Sequence, residues 1–568
     1  MYTNLENVQI IISLLKQHGV KHLVLSPGNR DIPLVHSVET DKDFVCYSIV
    51  DERSAAYFAL GIAEANQEPV GFVCTSSTAS CNYMPAIEEA SRKNICLIAL
   101  TADRENYLLY QFEDQKINQT NMYAPFTKYC ADLPVVRNEL DYWLCIRKAN
   151  EALIAMKDGE CGPVQINFQV NRTDFFPVRN LPKYRKITKV YEESFKKEFN
   201  VYHNQLKRKS IMVLVGENYY GNDELCHELD DFQKNYNAVV ISDHFSNLEG
   251  DFIDTAKALE VLTPEDFEQY VPDLVITVGG HIWSALKYSL RNTKKKFEHW
   301  RISEDDIVKD GFKELTTIFA FSAEEFFAMM NKHSAPGSEY RLKWLKKANS
   351  IRLPELRFTN FYAISEAMKK VPDNSIIHCS ILNSARLNAF SKYSGKRVKT
   401  YCNFGCDGID GCMSSFLGQT CDNTGLSILI IGDLSFIYDL NVTFENFTSD
   451  KRILLINNHA GSEFHTAFGL KKFPMLDTHI SAGHQNNISE VIDYTRFKYI
   501  SARNREELDS AFHQFYADSD KPILLEVFTN AKTDGDVLNE FYGMNRKYST
   551  KTKIKQKIKG IIRGILKV

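Results

Sequence analysis

Residues 429–441, "LIIGDLSFIYDLN", and residues 454–464, "LLINNHAGSEF", each end an apolar run on a hard oxygen. Asp433 closes the first run, and Asn458 closes the second 25 residues later. A strand–helix–strand crossover of that length lays two parallel strands in one sheet and brings both residues to its carboxyl edge. The Asp433 carboxylate, the Asn458 amide oxygen and the Ala460 carbonyl would supply three protein oxygens. Mg²⁺ accepts such a set when phosphate and water complete its octahedron. The turns around Gly432, Leu434 and Ser435, and "HAG" at 459–461, can also direct backbone N–H groups at a diphosphate. The competing reading is structural, with Asp433 capping a helix and Asn458 making a turn.

Around this pair the chain reads as three α/β blocks. The first carries strand candidates "HLVLSPG", "VGFVCTS", "ICLIALTAD" and "PVQINFQV", with helical periodicity in "DERSAAYFALGIAEAN". The second, about 200–340, carries "IMVLVGEN", "AVVISD" and "DLVITVGG". The third, about 350–545, carries "SIIHCS", "LSILIIGD", "RILLINN" and "PILLEVF". A Pro- and Lys-bearing segment near 175–199 reads as a linker. The expectation is three domains, at 1–180, 200–340 and 350–545, each a mostly parallel sheet flanked by helices, followed by a basic tail at 546–568. A chain of 568 residues is too long for a single core.

Composition removes several function classes. Hydrophobic content of 44% and charged content of 25% are ordinary for a soluble globular protein. A formal charge of −4 argues against a nucleic-acid binder. None of the 13 cysteines forms a CxxC pair, and Cys402, Cys406 and Cys412 lack zinc-ligand spacing, so free thiols in a reducing cytosol are expected. The N-terminus, with its early acid, does not read as a signal peptide. No apolar run reaches the roughly 18–20 residues of a membrane span.

Seven segments then occur in a fixed order: "SPGNRDIPL" (26–34), "DERSAAYFALGIAEA" (51–65), "CTSSTASCNYMPAIEEA" (74–90), "LTADR" (100–104), "QKINQ" (115–119), "GIDG" (408–411) and "GDLSFIYDLN" (432–441). Together they resemble the thiamine diphosphate (ThDP) enzymes, and within them the 2-succinyl-5-enolpyruvyl-6-hydroxy-3-cyclohexene-1-carboxylate (SEPHCHC) synthases of menaquinone biosynthesis. The resemblance implies a pyrimidine-binding, a central and a diphosphate-binding domain, and a homodimer or homotetramer with active sites between chains. It implies that Glu52 hydrogen-bonds the cofactor's aminopyrimidine and drives its activation. It places Ser76, Gly408, Ile409, Asp410, Gly432, Asp433, Leu434, Ser435, Asn458 and Phe464 against the cofactor, and Mg²⁺ on Asp433, Asn458 and Ala460. Arg30, Arg104 and Arg386, with Gln115, match residues that hold substrate carboxylates; guanidinium suits that task because it stays charged and binds bidentately. Without the resemblance, Glu52 would be read as a helix-start carboxylate favoured by the dipole.

The substrate half departs from the family pattern. Phe404 stands where an arginine is expected, and Lys287 lies two residues from the expected central-domain lysine, where Ala285 stands. Glu463 replaces an apolar residue before Phe464, and Ser77 replaces a glycine. The expected activity is therefore ThDP/Mg²⁺-dependent decarboxylation of a 2-oxo acid with carboligation, 2-oxoglutarate and isochorismate being the family substrates. The alternatives are a specialised carboligase or decarboxylase, such as one serving surface glycan synthesis, and a non-catalytic scaffold of the same fold. Residues 546–568 carry nine Lys/Arg and no acid, leaving the rest of the chain at −13. Ile554, Ile558, Ile561, Ile562, Ile565 and Leu566 form an apolar stripe among those lysines. The stripe suggests a cytoplasmic enzyme held peripherally at the inner membrane face, or a tail docked on its own acidic body.

Overall fold

The computed structural model describes residues 1–546 apart from 219–221, 255–259, 283–284, 336–338, 424, 467–469 and 471–472. Of the tail only Arg546 is described; its guanidinium lies 4.0 Å from the Tyr542 ring centroid and donates to the Glu260 carbonyl. The apolar stripe beyond it lies outside the described residues.

Three parallel sheets follow one another along the chain. The first contains β1 (His22–Leu25), β2 (Val45–Ser48), β3 (Val70–Cys74), β4 (Leu97–Asp103), β5 (Tyr129–Leu133) and β6 (Val164–Gln169), in the order β2-β1-β3-β4-β6-β5. Next come β7 (Thr188–Val190) and the central strands β8 (Ile211–Val215), β9 (Val239–Ser242), β10 (Ile253–Asp254), β11 (Leu274–Val278) and β12 (Glu298–Ile302). The central strands run β10-β9-β8-β11-β12, and β7 pairs with β13 (Leu315–Phe319). The third sheet contains β14 (Ile376–Cys379), β15 (Lys399–Cys402), β16 (Ser427–Gly432), β17 (Lys451–Asn457), β18 (Lys498–Ala502) and β19 (Ile523–Phe528), in the order β15-β14-β16-β17-β19-β18. The segment 175–199 is not the featureless linker expected: it holds β7 and the start of the helix Glu192–Leu206, because Ile187 and Val190 are buried. Packing gathers the described residues into two compact units, 1–191 with 305–319, and 192–304 with 320–546.

The first and third sheets share one topology. Each opening strand lies between the second and the third, so successive crossovers leave it in opposite directions. A crevice opens at such a switch point, beyond the carboxyl ends of β1 and β3 in one sheet and of β14 and β16 in the other. The equivalent place in the central sheet is filled by backbone. Gly216 N donates to Val278 O at 2.9 Å, Glu217 N to His281 O at 2.9 Å, and Gly280 N to Glu217 O at 2.8 Å. A Cβ on Gly216 would stand only 2.6 Å from Gly280 O.

Both faces of the third sheet are covered, which is why its inner strands are continuous apolar runs. Ile428, Ile430, Leu454 and Ile456 enter one core, and Leu429, Ile431, Ile453 and Leu455 enter another on the opposite face. Phe404 belongs to the first of these cores, its ring centroid 4.5 Å from that of Phe245.

Candidate active site

At the end of β16, Gly432 pairs with Ile456 of β17. That register carries Asp433 and Asn458 to one edge, where Asn458 N donates to Asp433 Oδ2 at 3.1 Å. Asp433 is 3% exposed, and its Oδ1 accepts from Leu434 N at 2.7 Å. The side chain therefore serves its own turn and the neighbouring strand end together. Asn458 Oδ1 accepts from Ala460 N at 3.2 Å, while its amide donates to Asp534 Oδ2 at 3.0 Å. Asp433, Asn458 and Ala460 are thus adjacent, and are the residues that could hold a hard divalent cation through oxygen. Among the described residues no cluster of three or more His, Cys, Asp or Glu could hold a metal ion. A cation here would therefore depend on amide and carbonyl oxygens beside the one carboxylate.

The surrounding turns close on this pair. The Ser435 hydroxyl donates to the carbonyl of Ile409, tying "GIDG" to the helix Asp433–Tyr438. The Asp410 carboxylate folds back over Gly408, its Oδ1 2.5 Å from where a Cβ would stand. Phe464 N donates to Gly461 O at 3.2 Å, and its ring covers that glycine. A cavity of about 630 Å³ opens beside Asn458 and Ala460, lined further by His459, His465, His484 and Lys532. Two neighbours of the pair carried no sequence signal. His484 Nε2 lies 3.3 Å from Asp433 Oδ2. Burial pushes Asp534 up to about 6, against hydrogen bonds from Asn360 N, Thr529 and Asn458 that pull it down, and the charge of Asp433 adds to the rise.

Arg386 follows β14 on the helix Asn383–Ala389. Its Nη1 donates to Glu463 Oε2 and, at 3.1 Å, to Asn383 Oδ1. The ion pair is largely buried, with side-chain exposures of 18% and 14%. Burial disfavours the Arg386 cation, but Tyr542 and Glu463 outweigh it and hold the proton more firmly than in a free arginine. The departure at Glu463 thus has a partner: it neutralises the guanidinium matched to substrate carboxylate. Phe404 lines a second cavity of about 610 Å³ with Glu217, His281, Asn403 and Gly408. Lys287 Nζ lies 3.4 Å from His281 Nε2, so the displaced lysine still delivers an amine toward a residue of that wall.

In the other unit, Glu52 begins the helix Glu52–Asn66. Asp51, not Glu52, caps it, accepting from Ser54 N at 2.8 Å. Glu52 is left half-buried, with Asn82 Nδ2 3.3 Å from its Oε2. At the end of β3 the Ser76 hydroxyl is buried without a hydrogen-bond partner, the mark of a polar group facing a ligand position. Ser77 next to it has φ +74°, a backbone conformation that glycine adopts far more easily, so the serine here is strained. The strained turn is tied down where Ser77 N donates to Gln119 Oε1 at 2.7 Å.

Arg30 and Arg104 converge on this side too. Burial lowers the proton affinity of Arg30, and the charge of Arg104 lowers it further. Arg104 Nη1 donates to Glu113 Oε1 at 2.5 Å, whereas Arg30 Nε is buried and unpartnered. Lys116 Nζ, 2.7 Å from Asp103 Oδ2, anchors the loop that carries Glu113 and the exposed Gln115.

Comparison with known proteins places the chain among thiamine diphosphate enzymes. Residues 6–122 match the model of the thiamine pyrophosphate enzyme N-terminal TPP-binding domain. A 2-succinyl-5-enolpyruvyl-6-hydroxy-3-cyclohexene-1-carboxylate synthase of Bacteroides fragilis is 33% identical over 566 residues, covering 95% of this chain and 99% of its own. The synthase of Phocaeicola vulgatus is 32% identical over 567 residues, and that of Bacteroides thetaiotaomicron 32% over 562, each at the same coverage.

If the Asp433 carboxylate holds the cofactor's cation, Asp433→Ala loses the only charged ligand of the proposed set. Isothermal titration of the variant with ThDP should show affinity reduced at least about tenfold in Mg²⁺ and no longer responsive to EDTA. An unchanged metal-dependent affinity would move the cation elsewhere.

Proposed function

The chain belongs to the SEPHCHC synthase family of ThDP-dependent enzymes, and we propose that it decarboxylates 2-oxoglutarate and ligates the remaining acyl unit to isochorismate. The observation that carries this reading is the end-to-end match to the synthases, combined with Glu52, Asp433 and Asn458 standing in their expected sequence contexts. When bound, ThDP supplies the nucleophilic carbon on which a 2-oxo acid can lose CO₂. Asp433, Asn458 and Ala460 would hold Mg²⁺ and, through it, the diphosphate, with backbone N–H groups of the Gly432–Ser435 turn beside them. Glu52 would hold the proton exchanged at the pyrimidine ring. Arg30 and Arg104, with Gln115, would orient substrate carboxylates. Val50, Tyr57 and Phe58 flank Glu52 and are 77%, 43% and 42% exposed, which supports a second copy of the chain covering this face.

One observation favours a second reading, a carboligase with another donor. Glu463 already occupies Arg386, so a donor with a distal carboxylate must compete with an internal one. Glu463→Gln should release the guanidinium and lower KM for 2-oxoglutarate by about tenfold, in line with a charged hydrogen bond of roughly 1.5–3 kcal/mol. Efficient wild-type formation of SEPHCHC from 2-oxoglutarate and isochorismate, unchanged in that variant, removes the second reading. No SEPHCHC, but CO₂ release from a 2-oxo monocarboxylic acid, establishes it.

Glu52→Gln keeps the side-chain volume and loses the proton-holding carboxylate. It should retain ThDP while CO₂ release falls by about 10²-fold or more; wild-type turnover would remove Glu52 from the mechanism. No helix among the described residues is long and apolar enough to cross a membrane. We propose that the tail's lysines and isoleucines fit an anionic membrane face instead. Co-sedimentation with anionic vesicles should then depend on residues 546–568 and weaken in high salt.

A further inference from the structure

Asp31 is fully buried, and neither of its carboxylate oxygens has a hydrogen-bond partner. It precedes the helix Ile32–Glu39, where an aspartate ordinarily caps through its side chain. Here it does not: only its backbone carbonyl serves the helix, accepting from Leu34 N and Val35 N at 2.9 Å each. A buried carboxyl without a partner destabilises a fold, so a purely structural role does not account for it.

Its position is specific. The loop after β1 is clamped to the end of β3, with Ser26 N donating to Val73 O at 2.9 Å and Arg30 N to Thr75 Oγ1 at 3.1 Å. Asp31 Oδ1 lies over Gly28, 3.0 Å from where a Cβ would stand. The strand order β2-β1-β3 brings Asp31 after β1, Glu52 after β2 and the unpartnered Ser76 after β3 to one carboxyl edge. Burial pushes the Asp31 carboxyl up to about 7, its own backbone N–H pulls it down, and the charge of Glu52 adds to the rise. The Cys74 thiol on β3 also feels Asp31: burial pushes it well above its usual range, the Asp31 charge adds to the rise, and the thiol stays neutral at pH 7.

We infer that Asp31 is a second functional carboxyl of this crevice, a positioning residue whose charge state sets the electrostatic surroundings of the edge it shares with Glu52 and Ser76. Like charges sharing a poorly solvated edge repel, so a proton on Asp31 removes a negative charge from the surroundings of Glu52. This rests on the role of Glu52 given above, but the first measurement below does not.

In an unfolded chain Asp31 ionises near the ordinary aspartate value of about 3.9, whereas in the folded chain it keeps its proton to about 7. The stability this proton confers is complete below the lower value and is lost as pH rises through the higher one. Asp31→Asn, neutral throughout, should not show that loss. Melting of ThDP-free protein between pH 5 and 8.5 should show the variant gaining on wild type as pH rises and exceeding it by roughly 3 °C at pH 8. Glu52→Gln should move the wild-type inflection to lower pH, because the neighbouring charge is gone. In the holoenzyme, Asp31→Asn should hold kcat near the wild-type low-pH value with little change in KM and remove the limb near pH 7 from the pH–rate profile. Asp31→Ser provides a second neutral variant with the same expected direction. If both variants are less stable than wild type at every pH, or both keep the wild-type pH–rate profile, Asp31 is structural and the inference fails.

Discussion

The pairing of Gly432 with Ile456 across β16 and β17 is the constraint on which the adjacency of Asp433 and Asn458 depends. Parallel register is set along the whole strand, so the buried alternation of both strands fixes which residues emerge at the edge. Sliding β17 by one residue would exchange Ile453 and Leu455 with Leu454 and Ile456 between two filled cores. It would also part Asn458 from Asp433. The core on both faces of the sheet thus enforces the geometry of two polar groups that contribute little to packing.

The same economy of topology operates in the first sheet. Its order repeats that of the third, and its crevice gathers Asp31, Glu52 and Ser76 as the other gathers Asp433, Asn458 and Arg386. Strain collects at a turn on each switch-point edge: Ser77 after β3 has φ +74°, and Leu382 after β14 has φ +62°. Such conformations persist where surrounding bonds over-determine them, as the Gln119 contact does for Ser77. The central sheet lacks this arrangement because Gly216 and Gly280 let its two loops close on each other.

Charge is balanced locally rather than left for a ligand. Arg104 is met by Glu113 and Arg386 by Glu463, whereas the Arg30 side chain makes no ion pair among the described residues. Under the proposed function, a substrate anion entering beside Arg104 or Arg386 would have to displace or share an internal carboxylate.

The sequence by itself determined the α/β class, the inner strands and the candidate residues of the proposed cofactor side. Inner strands such as "SILIIG" and "RILLIN" are buried on both faces and announce themselves as apolar runs. The edge strands β2, β5, β15 and β18 escaped notice because one face or edge is open, and residues such as Lys399, Tyr401, Lys498 and Tyr499 interrupt the pattern. Asp433 and Asn458 were legible because a crossover length links them. Tertiary structure alone decided the partners that no spacing encodes: His484 beside Asp433, Asp534 beneath Asn458, Glu463 on Arg386 and Phe404 in the core. It alone also decided how the acids at two helix starts are used. Asp51 caps its helix and frees Glu52, whereas Asp31, placed where a cap belongs, is buried without a partner because the clamp between β1 and β3 turns its carboxyl away from the helix N–H groups.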